Sequence, residues 1–208
     1  MAQPTARPGQ NVSVEHVLDT CSGKRLDLDA PEASQVALGD IAAALSKVCR
    51  FGAQAKRFHS VAQHAVLVMT FTAEMLERPD LGLWALHHDS HEAYTCDIPR
   101  PLKLKLRDSG NAVYDEICDA LDVAIAEALG AQRPSKGSPD AEVIDRADDM
   151  ALIVEARSLL VNADRGVHPK SPFIPADREA LPVLGESLVS EDAEAAFRFA
   201  HVRAVEGS

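Results

Sequence analysis

One stretch of this sequence, Leu86-His87-His88-Asp89-Ser90-His91-Glu92, indicates both the fold and the chemistry. Adjacent histidine and aspartate residues are common in proteins, but this pair lies downstream of His64 and upstream of Asp148. Two imidazoles and two carboxylates form a nitrogen and oxygen ligand set that suits a hard or borderline divalent cation such as Mn, Co, Zn or Mg. The sequence therefore predicts one divalent-metal site made by four side chains.

Helical periodicity places these ligands on apolar faces. His64 lies three residues after Val61 and four before Val68, so it faces inward on a predicted helix. Asp148 shares a face with Glu155, and a buried carboxylate there needs a metal ion or a cationic partner to offset its desolvation. The predicted helices that carry the ligands cover about 60–77, 80–94 and 140–161.

The rest of the chain predicts an all-α bundle. Further helices are expected at about 38–49, 109–130 and 190–202, with a short extended segment at 23–29. We expect a flexible N-terminal segment over 1–19 and one domain over 20–208. Four prolines between 163 and 182 rule out a long helix in that part of the domain.

Composition limits the classes of partner. With 46% hydrophobic and only 4% aromatic residues, the 208-residue chain predicts a large, mostly aliphatic core. A net charge of −11 disfavours binding to a long nucleic acid, which requires a basic surface. No apolar run approaches the ~20 residues that span a bilayer, and the N-terminus lacks a signal-peptide pattern. We therefore expect a cytoplasmic protein without a membrane partner, whose four cysteines are free thiols.

Several short motifs occur together along the chain. They are Arg50-Phe51, Val61-Ala62-Gln63-His64, His88-Asp89-x-x-Glu92, Asp97-Ile98-Pro99-x-Pro101-Leu102-Lys103 and Ala147-Asp148. Their combination resembles the HD-domain phosphohydrolases, and within them the bacterial 5′-deoxynucleotidases and the related phage dATP triphosphohydrolases. The resemblance covers roughly residues 20–162.

The resemblance implies a role for each motif residue. It implies an HD-domain helical bundle in which Glu92 acts on the nucleophilic water, Asp97 assists near the site and Arg50 contacts phosphate. The four residues that it implies as ligands of one divalent metal ion are His64, His88, Asp89 and Asp148.

The residues support similar chemistry without the family. A phosphate ester accumulates negative charge during transfer, so hydrolysis needs cations and a positioned water. Glu92 suits a general base beside the metal ligands, Arg50 offers a bidentate fork and Lys103 a point charge for phosphate. Phe51 is placed to contact the base or the sugar.

Each of these assignments has a structural alternative. Arg50 is also a natural partner for Glu155, Glu92 for Arg100, and Phe51 is also a natural core residue. Four flanking residues are interpreted as supporting the ligands from behind or facing solvent: His59, His87, His91 and Asp149.

Three departures from the family pattern limit what is implied. Ser90-His91 replaces small residues, Cys96 stands where relatives have glycine, and Phe51 replaces a frequent tryptophan. No ligand is lost, but the base preference, the sugar preference and the number of phosphates removed stay open.

We expect hydrolysis of a deoxynucleoside 5′-monophosphate to nucleoside and phosphate. The alternatives are a dATP-type triphosphohydrolase and a non-catalytic nucleotide-binding or interaction module. A homo-oligomer is also expected, through an apolar stripe on the 110–130 helix that would otherwise pack within the chain. That stripe consists of Val113, Ile117, Leu121, Ala124 and Ala128.

Overall fold

The fold is built almost entirely from helices, as predicted. The computed structural model describes residues 14–163 and 181–207. Within them the chain forms strands β1 (Val17–Asp19) and β2 (Arg25–Asp27) and helices α1 (Leu38–Leu45), α2 (Val61–Thr70), α3 (Gly82–His87), α4 (Glu92–Thr95), α5 (Arg100–Asp108), α6 (Val113–Leu129), α7 (Pro139–Leu159) and α8 (Ser190–Glu206). No helix among these residues is both long and apolar enough to cross a bilayer.

Helix α2 lies at the centre of the molecule and packs against α3, α7 and α8. Its start is specified locally, because the Ser60 hydroxyl accepts a hydrogen bond from the Gln63 backbone N–H and Gln63 reciprocates in a capping box. One face of α2 enters a mostly aliphatic core with α1, α6 and α8, and another face enters a second core with α3 and α7. Residues on α2 are therefore held from several sides.

The N-terminal part of the described chain is folded. β1 and β2 pair antiparallel, with Val17 opposite Asp27, which agrees with the extended segment expected at 23–29. Residues 14–19 belong to defined elements although they were assigned to a flexible segment. The remainder of that segment, and nearly all of the proline-containing stretch, lie outside the described residues.

The helix predicted over 80–94 is interrupted at the His-Asp pair. α3 ends at His87 and α4 begins at Glu92. Between them the backbone makes tight bonds from Ser90 N–H to the His87 carbonyl and from Glu92 N–H to the Asp89 carbonyl, each 3.0 Å. The Ser90 hydroxyl also lies 2.8 Å from His87 Nδ1, so a local side-chain bond competes with continued helix.

Helix α5 is absent from the sequence prediction, because two prolines, Pro99 and Pro101, stand at its start. Proline is tolerated in the first turn, where its missing N–H costs nothing, and here it starts a helix. α6 begins at Val113 rather than 109 and ends at Gly130, whose φ of 66° gives the left-handed end that glycine favours. The last helix extends beyond the predicted residue 202.

The apolar stripe of α6 is used largely inside the chain. Leu121 is fully buried, Ala124 is 2% exposed and Ile117 packs against the same core. Val113 is 57% exposed at the start of the helix. Ala128, near the other end of the helix, is also exposed. The middle of the stripe therefore packs within the chain, its two ends are exposed, and the homo-oligomer stays a prediction.

Candidate metal centre

Three of the predicted ligands, His64, His88 and Asp89, come together where α2 and the turn after α3 meet, and Asp148 on α7 lies against His64. His64 Nε2 lies 3.2 Å from Asp148 Oδ1 and 3.6 Å from Asp89 Oδ2, and His88 Nε2 lies 3.3 Å from the same Asp89 oxygen. Metal bonds of about 2.0–2.2 Å put neighbouring ligand atoms of one ion roughly 3–3.6 Å apart. The observed separations fit one small divalent cation.

Hydrogen bonds orient both imidazoles for metal binding. His64 Nδ1 lies 2.8 Å from Glu155 Oε1, and His88 Nδ1 lies 2.8 Å from the Ala85 carbonyl. A carbonyl only accepts, so Nδ1 of His88 carries the proton, and the carboxylate favours the same tautomer in His64. In each ring Nε2 is then the nitrogen left to bind an ion.

Both Nε2 atoms are buried, and neither has a hydrogen-bond partner within residues 14–163 and 181–207. Such atoms are costly unless something binds them. The three carboxylate contacts around them are close but do not supply an aligned donor or acceptor. These two atoms are the strongest structural indication of a bound cation.

The charges of the site also favour a cation. Burial raises the pKa of Asp89, but His88 and His64 lower it well below its usual range. Burial and Arg50 lower the pKa of His64, whereas Glu155, Asp148 and Asp89 raise it well above its usual value. The carboxylates thus attract positive charge at His64, and a metal ion competes with a proton for that position.

Glu155 contacts His64 through Nδ1, the imidazole nitrogen that is not the proposed ligand atom. It is fully buried and accepts hydrogen bonds from Arg50 Nη2 at 3.2 Å and Nε at 3.3 Å. His59 Nε2 lies 3.2 Å from its other oxygen. The Arg50 pair with Glu155 is therefore present, whereas the contacts of Glu155 with His64 and His59 were missed. The available signal was its spacing of seven residues from Asp148, which is two helical turns.

Glu92 starts α4 beside the ligands and is only 1% exposed. Its Oε1 atom accepts a hydrogen bond from Lys103 Nζ at 3.2 Å, so its cationic partner is Lys103 and not Arg100. Its Oε2 atom is buried with no partner among the described residues. Burial, together with the negative charges of Asp89 and Asp97, raises the pKa of Glu92 to about 7.

A left-handed turn brings Arg50 and Phe51 to the edge of the site. Phe51, Gly52 and Ala53 have φ values of 58°, 56° and 63°, and the Phe51 N–H donates to Asp97 Oδ2 at 3.2 Å. A Cβ on Gly52 would lie 2.9 Å from Pro99 Cγ, so this position requires glycine for both conformation and space. Arg50 Nη1 lies 3.7 Å from Asp97.

The four flanking residues are all buried, so none of them faces solvent. His87 contacts Ser90 and His201, and His91 Nδ1 lies 2.9 Å from Asp122 Oδ1. Burial lowers the pKa of His91, but Asp122 and Cys118 raise it well above its usual value. The relative exposures are 2% for His59 and 9% for His91, and none for His87 and Asp149.

Comparison with known proteins gives one informative relative. No family model matches the chain. The uncharacterized protein YfdR of Escherichia coli (strain K12) is 35% identical over 159 residues, which cover 76% of this chain and 80% of YfdR.

Proposed function

This chain belongs to the YfdR family, and we propose that it is an HD-domain phosphohydrolase that uses one divalent metal ion to hydrolyse a nucleotide. YfdR is described as uncharacterized, so the proposal depends on the site. The observation that carries it is the pair of buried Nε2 atoms on His64 and His88, which face Asp89 and Asp148 and lack hydrogen-bond partners within the described residues.

The residues around the ligands have separate tasks in this proposal. A divalent cation held there would neutralise phosphoryl oxygens and lower the pKa of a bound water. Glu92 accepts the proton of the attacking water through Oε2, while Lys103 holds Oε1 and fixes the carboxylate. A base with a pKa of about 7 is well matched to neutral pH.

Arg50 binds phosphate through Nη1 in this proposal, although its other two nitrogens pair with Glu155. Among the described residues, its Nη1 atom makes the longer ion-pair contacts, 3.7 Å to Asp97 and 3.9 Å to Asp89. A phosphate oxygen would replace those contacts while Glu155 continues to hold Nε and Nη2. Asp97 orients the turn through the Phe51 N–H, and the Phe51 ring lies beside the Arg50 guanidinium, where a sugar or base would contact it.

A deoxynucleoside 5′-monophosphate is the proposed substrate. The test is a panel of nucleotides that includes dAMP and dATP, incubated with metal-depleted protein after addition of Mn, Co, Zn or Mg. We expect nucleoside and phosphate from dAMP in at least one metal. Triphosphate released from dATP would instead indicate a triphosphohydrolase, and tight binding without turnover would indicate a binding module.

The proposal also concerns the size of the ligand, the location of the protein and its oligomeric state. A net charge of −11 favours a small nucleotide, whose phosphate binds at a local cationic and metal site, over a long nucleic acid. A cytoplasmic location and a homo-oligomeric state stay predictions.

A further inference from the structure

A second group of ligand atoms lies next to the four-residue site. Asp89, His91 and Glu92 each offer a ligand atom within 4.8 Å of the other two. All three belong to the turn between α3 and α4, and Asp89 is shared with His64 and His88. The interruption of the helix at this turn is what brings the three side chains together.

His91 is held in a way that suits a metal ligand. Its Nδ1 atom lies 2.9 Å from Asp122 Oδ1, and Arg133 Nη2 lies 3.6 Å from the other oxygen of Asp122. A carboxylate bound to one imidazole nitrogen commonly orients a histidine whose second nitrogen binds metal. Nδ1 is bonded to Asp122, so an ion would bind Nε2. Burial lowers the pKa of His91 but Asp122 and Cys118 raise it well above its usual value, so the ion would have to displace a proton from the ring.

Glu92 supplies a second, independent indication. Glu92 is 1% exposed, and its Oε1 atom accepts a hydrogen bond from Lys103. Its Oε2 atom is buried and has no hydrogen-bond partner within the described residues. A buried carboxylate oxygen without a partner carries a desolvation penalty. A cation between Asp89, His91 and Glu92 would remove that penalty.

We propose that Asp89, His91 and Glu92 form a second, weaker divalent-cation site, and that an ion bound there inhibits hydrolysis. The inhibition follows because a carboxylate oxygen that binds an ion no longer accepts a proton from water. The existence of the site is independent of the proposed function, whereas its inhibitory effect rests on Glu92 being the base in that function.

The second site is the weaker one for two reasons. The first site adds Asp148, 3.2 Å from His64 Nε2, to its group of three residues, and the shared ligand, Asp89, already binds the first ion. Lys103 Nζ, 3.2 Å from Glu92 Oε1, also repels a cation at that carboxylate. The first ion therefore fills at low metal concentration and the second only at higher concentration.

The binding test uses Mn²⁺ added to metal-depleted protein, followed by equilibrium binding and electron paramagnetic resonance. We expect two ions of different affinity in the wild type, with spin coupling between them, since ions that share a carboxylate lie roughly 3.5–4 Å apart. His91→Gln should weaken the second ion by about tenfold or more and keep the first. Its amide still offers Asp122 a donor.

The matched control is His201→Gln, which changes a histidine that contacts His87 and belongs to neither ligand group. It should bind two ions like the wild type. Circular dichroism melting establishes that each variant is folded. If His91→Gln does not fold, Glu92→Gln tests the same site, and it too should lose only the weaker ion.

The inhibition is tested by measuring hydrolysis of dAMP over a range of Mn²⁺ concentrations. Wild-type activity should rise and then fall as Mn²⁺ increases. The fall should be absent from His91→Gln, whatever the maximal rate of that variant.

A wild type that saturates with one ion, or a His91→Gln variant that keeps two, would overturn the site. Two bound ions with activity that only rises to a plateau would overturn the inhibition. Absence of any hydrolysis would reject the proposed function and with it the inhibition, while the binding result still decides the site.

Discussion

Cys96 adopts a backbone conformation that side chains rarely tolerate. It ends α4 with φ 63° and ψ 163°, a region occupied almost only by glycine, and such a conformation costs of order 1–3 kcal/mol. Asp97, which accepts a hydrogen bond from the Phe51 N–H, directly follows this bend.

We predict that Cys96→Gly stabilises the protein. The gain should be about 1 kcal/mol, because relief of strain exceeds the extra conformational entropy that glycine brings to the unfolded chain. The measurement is the midpoint of urea unfolding. Cys96→Ser is the control, since it removes the thiol, keeps the strain and should leave the midpoint nearly unchanged; a lower midpoint for Cys96→Gly would show that the conformation is not strained.

Glu92 offers a test of the base at the same scale. Glu92→Gln should retain the ion held by His64, His88, Asp89 and Asp148, yet lose on the order of 10²–10⁴ in rate, the usual contribution of a positioned general base. Hydrolysis rate and metal content are measured on the same samples, at metal concentrations that fill only the stronger site. Glu74→Gln, at an exposed position, should behave like the wild type. Loss of the stronger ion would mean that Glu92 is one of its ligands.

At the scale of elements, local sequence predicted α2 and α7 better than the region between them. The capping box at Ser60, and Ser138 followed by Pro139, mark helix starts that depend on neighbouring residues alone. The end of α3 combines a local bond with a contact that is distant in sequence. His87 bonds both Ser90 and His201 on α8, and periodicity within one helix carries no information about that partner.

In the candidate site too, residue types could be predicted from the sequence, but contacts between distant elements could not. The four proposed ligands were predicted by residue type and order, and the structure places His64, His88 and Asp89 close together with Asp148 against His64. Glu155 was expected to pair with Arg50, but its bond to His64 depends on how α7 lies against α2. The second ligand group was also missed, since it requires the interruption of the helix between Asp89 and Glu92.

Asp40 links the β1–β2 hairpin to α1 and gives a prediction for acid stability. It accepts hydrogen bonds from Thr20 Oγ1, Ser22 N–H and Ser22 Oγ, at 2.8, 2.7 and 2.7 Å. Burial raises the pKa of Asp40, but these donors and Lys24 lower it below the ordinary value of 3.8. Because the pKa is depressed in the folded state, this stabilisation is present above pH 3.8 and is lost as pH falls through the folded value.

Asp40→Asn should therefore lower the free energy of unfolding at neutral pH. The difference between variant and wild type should shrink as the solution is acidified, because the wild type then loses the same stabilisation. Urea unfolding at pH 7 and at successively lower pH measures both effects. Asp27→Asn, on the neighbouring strand, is the control and should show no such convergence. A destabilisation by Asp40→Asn that stays constant down to the lowest pH would contradict the assignment.

At the scale of the whole molecule, a substitution at Leu121 distinguishes a contribution to folding stability from a contribution to subunit assembly. The residue is fully buried in the core shared by α1, α2, α6 and α8, so Leu121→Ala should cost about 2–5 kcal/mol of unfolding free energy. The predicted homo-oligomer, if held together by other surfaces, should keep its mass in this variant. Urea unfolding and light scattering measure the two effects, and a Leu121→Ala chain that dissociates with unchanged stability would place the residue in an interface instead.

Elemental analysis of Asp89→Asn beside the wild type, with nucleotide hydrolysis measured on the same samples, tests the central claim most directly. Asp89 Oδ2 lies near both imidazole Nε2 atoms, so its loss should remove the divalent ion and the hydrolysis together. It should also remove the thermal stabilisation that added metal gives the wild type, because an ion stabilises only the state that binds it. Normal metal content and full hydrolysis in Asp89→Asn would contradict the proposed metal centre.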